Sequence, residues 1–252
     1  GSAGGPLVDR LTATGRHSVL LLEAGPEARS PWLSIPAGFA VTSRDPAVNW
    51  KSSTEPEEHL GGRRMYWPRG KVVGGSSAIG GTVYVRGLAS DYDRWHRLGN
   101  EGWSFADCLP YFRRLEAFAD GATELRGGSG PVKITQGEYH NALGESFLEA
   151  CNEIGLRTTS DFNGLQQEGA GYYHATASDG LRNSTGRAYI AQARRRPNCR
   201  IVTRALVERV TVEGGRAVGV VYRLGGASRV VRARREVILS AGAVGSPQLL
   251  QL

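Results

Sequence analysis

The sequence predicts an α/β protein built around a Rossmann-like nucleotide-binding unit, and three observations predict it. The chain opens with Gly1-Ser2-Ala3-Gly4 and passes into a stretch with apolar Leu7, Val8 and Leu11, the pattern of a glycine-rich turn that opens a helix. The run SVLLL, Ser18–Leu22, then closes at Glu23; a short continuous apolar run of this kind reads as a buried parallel strand. At the other end REVILSAGAVGSPQLL reads as strand, small-residue turn and apolar helix. Helix, turn, strand and acidic residue form the second half of a βαβ unit.

The remaining elements come in chain order. Gly15-Arg16 ends the first helix, and Pro6 is tolerable there only in the first turn. Residues 32–63 read as an extended, lid-like segment. Trp67–Gly81, WPRGKVVGGSSAIGG, is glycine-rich, but Val72, Val73, Ile79, Val83, Tyr84 and Val85 in and beside it argue for a packed segment rather than a linker. Residues 120–130, DGATELRGGSG, read as a boundary loop. Beyond it come a strand, PVKIT, and a helix over Asn141–Ile154. Ile201–Val212 and Ala217–Tyr222 read as a hairpin-like pair joined at Glu213-Gly214-Gly215-Arg216, and REVIL reads as a strand before the Ala241-Gly242 turn. Both ends cut elements, so the chain reads as a fragment of a larger protein, with the first strand of the βαβ unit missing.

Composition narrows the function classes. In 252 residues there are 35 Gly and 11 Pro with no G-X-Y period, and 40% hydrophobic residues, so collagen and wholesale disorder are excluded. The longest apolar runs, such as Ser18–Leu22 and Val237–Leu239, are too short to span a bilayer. The net charge is +7, and among 31 basic residues only Lys51, Lys71 and Lys133 are lysines. The arginines are scattered; Arg194–Arg196 and Arg232–Arg235 are short clusters that read as solvated faces, which disfavours a nucleic-acid-binding module. Cys108, Cys151 and Cys199 are odd in number and widely spaced, against a disulfide framework or a zinc site. No metal is expected.

Two motifs carry chemistry. Gly1–Gly4 can be the last G-x-x-G of a dinucleotide fingerprint, and Glu23 follows Gly4 by 19 residues at the end of the next strand. Bare backbone lets a pyrophosphate approach, and a helix N-terminus supplies free N–H groups. A carboxylate at that strand end accepts the hydroxyls of an adenosine ribose and repels a 2′-phosphate, which disfavours NADP. The second motif, Trp67–Gly81, leaves backbone bare at Gly70, Gly74, Gly75, Gly80 and Gly81. It is not a phosphate-binding G-x-x-x-x-G-K-[ST] loop, and the G-x-S-x-G and H-E-x-x-H hydrolase motifs are also missing.

With GSAG, LLLEAGP, PWLSIPAGF, WPRGKVVGGSSA, VYVRG, DYDRW, GNEGWS, LPYFRRLE, DFNG and AGAVGSPQLL, the chain resembles the glucose–methanol–choline (GMC) oxidoreductases, and among them the choline-dehydrogenase-like alcohol dehydrogenases of bacteria. The resemblance runs over essentially the whole chain. It implies a Rossmann-like FAD-binding domain followed by the beginning of an α+β substrate-binding domain. It divides the chain into a first FAD-binding part at 1–119, a substrate-binding start at 131–193 and a second FAD-binding part at 194–252.

The resemblance also implies site roles. Gly1, Ser2, Ala3 and Gly4 would lie along the FAD pyrophosphate, and Glu23, with Ala24 beside it, would hold the adenosine ribose. Trp67, Arg69 and Gly70 would sit near the flavin. Val73, Gly74, Gly75 and Ser76, and Gly80, Gly81, Thr82 and Val83, would line the ribityl and isoalloxazine side. Val207 would address the adenine through its backbone, and Ala241 and Gly242 would form the turn near the adenosine end. The position that carries a FAD-linking His in some members is Ile79 here, so the FAD is expected to be noncovalent. Gly80 and Gly245 stand where the family usually has Asn, and Gly5 where it usually has Cys, departures that leave a degenerate homologue as the alternative.

The implied activity is oxidation of an alcohol CH–OH by hydride transfer to FAD, with a quinone, another carrier or oxygen as electron acceptor. The family's catalytic His lies beyond Leu252, and His17, His59, His96, His140 and His174 fall in no matching segment, so no catalytic residue is assigned and the chain alone is expected to be inactive. A cytoplasmic or peripherally membrane-associated location is expected.

Overall fold

A computed structural model describes residues 1–137 and 140–252. The described chain forms two compact units, Gly1–Gly81 with Ser184–Leu252, and Thr82–Asn183.

In the first unit the helix Gly4–Thr12 succeeds the opening turn, with Pro6 in its first turn as expected. The strand Val19–Leu22 pairs in parallel with Cys199–Val202, in register from Val19 with Cys199 to Leu22 with Val202. The end of the helix is tied down from the far side of the sequence. Arg196 donates to Asp9 O at 2.7 Å and to Thr12 Oγ1 at 2.8 Å, and Asn198 Nδ2 donates to Thr12 O at 3.0 Å and His17 O at 2.6 Å. These bonds satisfy carbonyls that a helix C-terminus leaves open. Arg194–Arg196 is therefore not simply a solvated face: Arg194 also pairs with Glu27 at 2.8 Å.

The stretch 201–212 is not one strand. Arg204 takes φ +56° and separates Cys199–Val202 from Leu206–Glu213, because a left-handed residue breaks a pleated ladder. The hairpin itself forms as expected, with Glu213 opposite Arg216. Its two loop residues, Gly214 and Gly215, have φ +54° and +76°, and two positive φ values are what a type I′ turn requires. A third strand, Ala227–Arg232, returns antiparallel against Arg216–Leu224. REVIL forms no strand: residues 236–240 belong to no ladder, since an apolar run becomes a strand only where a neighbour takes its backbone hydrogen bonds. The helix Gly242–Gln251 closes the chain.

The expected extended segment at 32–63 is instead mostly short helical turns, Pro31–Ser34, Pro36–Gly38 and Phe39–Thr42, before the strand Ser52–Ser53 pairs with Tyr66–Trp67. Prolines at the starts of two of these turns have the φ that a first helical residue needs. Leu33, Val48, Val72, Ala78 and Ile79 pack into one apolar cluster beneath the glycine-rich run, which is thus a packed segment and no linker.

The second unit contains the helices Ala89–Arg97 and Phe105–Leu115, the strand Val132–Gln136 and the helix Ala142–Glu153, capped by Asn141, whose side chain accepts from Gly144 N at 2.7 Å. The compact units divide after Gly81 and after Asn183, whereas the expected boundaries were 119–131 and 193–194. The reason is strand pairing. Glu116–Phe118 runs parallel to Val132–Gln136, so the segment before residue 119 folds together with the strand beyond residue 131. Residues 120–130 are not a boundary loop: Arg126 is 1% exposed.

Arg126 belongs to a buried charge network centred on Glu116. One carboxylate oxygen of Glu116 accepts from Tyr84 Oη and from Arg86. The other accepts from Arg126 Nε at 3.0 Å and Gly127 N at 3.1 Å. Arg126 also grips Asp161 with Nη1 at 2.8 Å. Burial pushes the Glu116 carboxyl up, but the hydrogen bonds from Tyr84 and Arg86 outweigh it and hold it below the usual range.

His174 sits beside this network, edge-on to Phe118 at 5.0 Å, with Nδ1 3.5 Å from Asp161. Burial lowers its pKa below 6.5, as does Arg126, against Asp161, Asp120 and Glu116, which raise it. A group whose folded pKa lies below its unfolded value binds protons better unfolded, so its stabilisation is present above the unfolded pKa and is lost as pH falls through the folded one. The urea midpoint is therefore expected to drop between pH 7.5 and pH 5. His174→Gln should shrink that drop; an unchanged drop would assign the acid lability to other groups.

Candidate functional site

The two stretches with the richest motifs meet in the first unit. The strand Val19–Leu22 delivers Glu23 to its end, where Glu23 N donates to Val202 O at 2.9 Å and Ala205 N donates to Glu23 O at 2.9 Å. Gly25 then passes directly beneath the glycine-rich run: a Cβ on Gly25 would lie 1.9 Å from Lys71 O. Val73 N donates to Pro26 O at 3.1 Å and Lys71 N to Val48 O at 2.7 Å. LLLEAGP and RGKVVGG are thus joined in space.

Glu23 is half-buried. Its Oε1 accepts from Gly25 N at 2.9 Å, and among the described residues its Oε2 takes no hydrogen bond. Burial raises its pKa, against the Gly25 N–H and Lys71, which lower it. A partly desolvated carboxylate with an open oxygen is a strong acceptor for a vicinal diol. Val207 lies two residues beyond Ala205, which bonds Glu23, and it pairs with Tyr222 in the hairpin. Ala24 comes next to Glu23 as a half-buried residue.

The pyrophosphate candidates also converge. A Cβ on Gly75 would lie 2.6 Å from Gly1 Cα, and one on Gly4 3.2 Å from Ser240 Cβ. Gly1–Gly4, Gly74–Gly75 and the chain entering Ala241-Gly242 therefore form one cradle of bare backbone, with Gly74 and Gly75 at φ +98° and +57°. Ala3, the helix N-cap, offers no side-chain cap; Gly5 N–H is taken by Gly1 O at 3.0 Å and Pro6 has none, so the first turn offers an anion the Gly4 N–H and bare glycine backbone. Ser2 and Ala3 are exposed and Gly4 is buried. Ser76 turns its hydroxyl back to Gly70 N at 3.0 Å, and Val73 is buried.

Arg69 stacks its guanidinium over Trp67 at 4.4 Å. Asn49, which the sequence reading overlooked, organises this corner. Its Oδ1 accepts from Arg69 N at 3.2 Å and Lys51 N at 2.8 Å, and its Nδ2 donates to Ser43 O at 2.6 Å. Ser77 and Thr185, whose hydroxyls bond groups far away in sequence, and Ser240, which packs against Gly4, were overlooked too, since such contacts leave no local pattern. Gly80 and Gly81 lie in the first unit, and Thr82 and Val83 in the second. There Thr176 N donates to Thr82 O at 2.8 Å, and Thr82 has φ +66°. A surface depression of about 440 Å³ is lined by Gly87, Asp91, Tyr92, Arg94, Trp95 and Leu98, none of them a predicted cofactor residue.

Among the described residues no group of His, Cys, Asp and Glu is placed to hold a metal ion, and no helix is long and apolar enough to cross a membrane.

The family model described as GMC oxidoreductase matches residues 12–252. The chain belongs to the GMC oxidoreductase family. Within that family it is 47% identical over 254 residues to an oxygen-dependent choline dehydrogenase of Vibrio vulnificus, covering 100% of this chain and 45% of the relative. It is 46% identical to the mitochondrial choline dehydrogenase of Mus musculus, covering 100% of this chain and 44% of the relative. The fold matches the crystal structure of pyridoxine 4-oxidase from Mesorbium loti with TM-score 0.94 and 31% identity over 99% of this chain and 49% of that one. It matches an FAD-dependent oxidoreductase from Chaetomium thermophilum with TM-score 0.90 and 32% identity over 100% of this chain and 46% of that one. The chain spans about half the length of the curated relatives it matches.

Proposed function

We propose that this protein binds FAD noncovalently and takes part in oxidation of a small alcohol, with choline the first candidate. The observation that carries the reading is the open, half-buried carboxylate of Glu23 beside a cradle of bare backbone at Gly1–Gly4 and Gly74–Gly75. Those parts suit the two halves of an adenosine diphosphate: a diol acceptor and bare glycine backbone at a helix start. Choline enters from the names of the relatives. FAD, when bound, supplies the hydride acceptor.

This chain's residues would bind and orient the cofactor. Glu23 would accept the ribose hydroxyls, and Gly1, Ser2, Ala3 and Gly4 would face the pyrophosphate. Val207 and the Ala241-Gly242 turn would serve the adenosine end. Trp67, Arg69, Gly70, Val73, Ser76, Gly80 and Gly81 would serve the flavin side. Ile79 offers no imidazole for a covalent link, which supports noncovalent binding. The unit Thr82–Asn183 would begin the substrate-binding part. The electron acceptor would be a quinone, another carrier or oxygen. A second reading, a non-catalytic homologue, draws on Gly80 and Gly245, where the resemblance expects Asn.

The test is the absorbance spectrum of the protein expressed from its complete reading frame. A flavin spectrum that bleaches on anaerobic addition of choline is the expected result. A flavin spectrum that ignores a panel of alcohols favours the second reading, and a protein that stays colourless with added FAD overturns the proposal. Glu23→Gln removes the charge that strengthens the ribose hydrogen bonds and is expected to weaken FAD binding about tenfold. Equal affinity in a fluorescence titration would remove Glu23 from the site.

A further inference from the structure

We propose that Ser77 and Thr185 are positioning residues for the cofactor cradle, acting as a hydroxyl clip that holds the Gly1 turn and the Gly74–Gly75 turn in register. This rests on the reading of that cradle as an FAD site.

The geometry is specific. Ser77 Oγ donates to Gly74 O at 2.7 Å and accepts from Thr185 N at 3.0 Å. The two hydroxyl oxygens stand 3.0 Å apart. Because the single proton of Ser77 is committed to Gly74 O, the Thr185 hydroxyl is the donor of the pair. Thr185 likewise has a single hydroxyl proton, for which Gly74 O at 3.3 Å and Gly1 O at 3.4 Å are alternative acceptors to Ser77 Oγ.

One pair of small side chains thus reaches both turns. The Gly74–Gly75 peptide is held at its two ends, by Ser77 on the carbonyl and by Val72 O on Gly75 N–H at 2.7 Å. Close packing adds to the clip. A Cβ on Gly5 would lie 3.1 Å from Thr185 Cβ, and one on Gly74 3.1 Å from Gly186 N. Thr185 also precedes the π-helical turn Gly186–Ile190, which packs against the helix Gly4–Thr12. Neither hydroxyl needs to touch the cofactor. Each fixes where bare backbone is offered to it, and a bare backbone site works only when its segments keep their spacing.

The experiment is an FAD titration of the apo form of the protein expressed from its complete reading frame, read by flavin fluorescence, with melting of each FAD-free form alongside. The variants are Ser77→Ala, Thr185→Val, Thr185→Ser and the double Ser77→Ala/Thr185→Val. We expect Kd for the folded fraction to rise about tenfold in Ser77→Ala and Thr185→Val. Thr185→Ser should stay within about twofold of the parent, and the double variant within about twofold of the weaker single, since the pair acts as one unit. A lower melting temperature with unchanged Kd would make the pair merely structural and overturn the proposal. So would a Thr185→Ser variant as weak as Thr185→Val. A parent protein that binds no FAD would overturn the underlying site reading, and the clip with it.

Discussion

Glu116→Ala is expected to destabilise the Thr82–Asn183 unit by about 3–5 kcal/mol. The side chain of Glu116 is 0% exposed, and it faces Arg86 and Arg126, at 3% and 1%. Truncation leaves both guanidinium groups in place without their shared carboxylate. Arg126 keeps Asp161, but Arg86 keeps neutral partners, its Nη1 bond to Leu125 O at 2.8 Å, Tyr84 and its position over Phe112 at 5.0 Å, and none of these carries a counter-charge. Water cannot reach the freed charge, so the cost is that of an uncompensated buried ion. The lost pair attraction would be smaller, because desolvation offsets much of it. A denaturant series checks this. A loss under about 1 kcal/mol, the range of a surface pair, would mean that water enters the network. Glu116→Gln keeps the shape and one acceptor oxygen, and should lie between the parent and Glu116→Ala.

Gly25→Ala is the second large effect, and it strikes the cofactor side. Its Cβ would lie 1.9 Å from Lys71 O, 2.1 Å from Lys71 C and 2.4 Å from Val72 N. All three are backbone atoms, so no rotamer relieves the overlap. The segment Lys71–Val73 must move, and it is anchored by Val48 O and Pro26 O and by the fully buried Val72. We expect a loss of about 3 kcal/mol, the upper end for overpacking, together with at least about a hundredfold weaker FAD binding. Gly61→Ala is the control, since a Cβ there meets nothing within 4 Å; its φ of +65° costs only local backbone strain. A Gly25→Ala variant that melts like the parent and binds FAD equally would show that the two motifs need not touch.

Local order was readable in the chain itself. The helix Gly4–Thr12, the strand Val19–Leu22, the helix Ala142–Glu153 and the Gly214-Gly215 hairpin are written in apolar period, cap and turn residues. Those effects act between residues a few positions apart. Glu23 and the glycine-rich run were legible for the same reason, as motifs with fixed spacing.

Partnerships across the sequence were not legible. Residues 236–240 have a strand's composition, yet no ladder takes them. Residues 120–130 have a linker's composition, yet hold the buried Arg126. Ser77 and Thr185 stand 108 positions apart, and Gly4 meets Ser240 only in the folded chain. A hydrophobic period reports which face of a segment avoids water. It does not report which distant hydroxyl, carboxylate or backbone atom will meet that segment. The motifs of this protein were therefore visible in one dimension, while the cradle they form and the ion network around Glu116 came from tertiary packing, where close approach and desolvation first acquire partners.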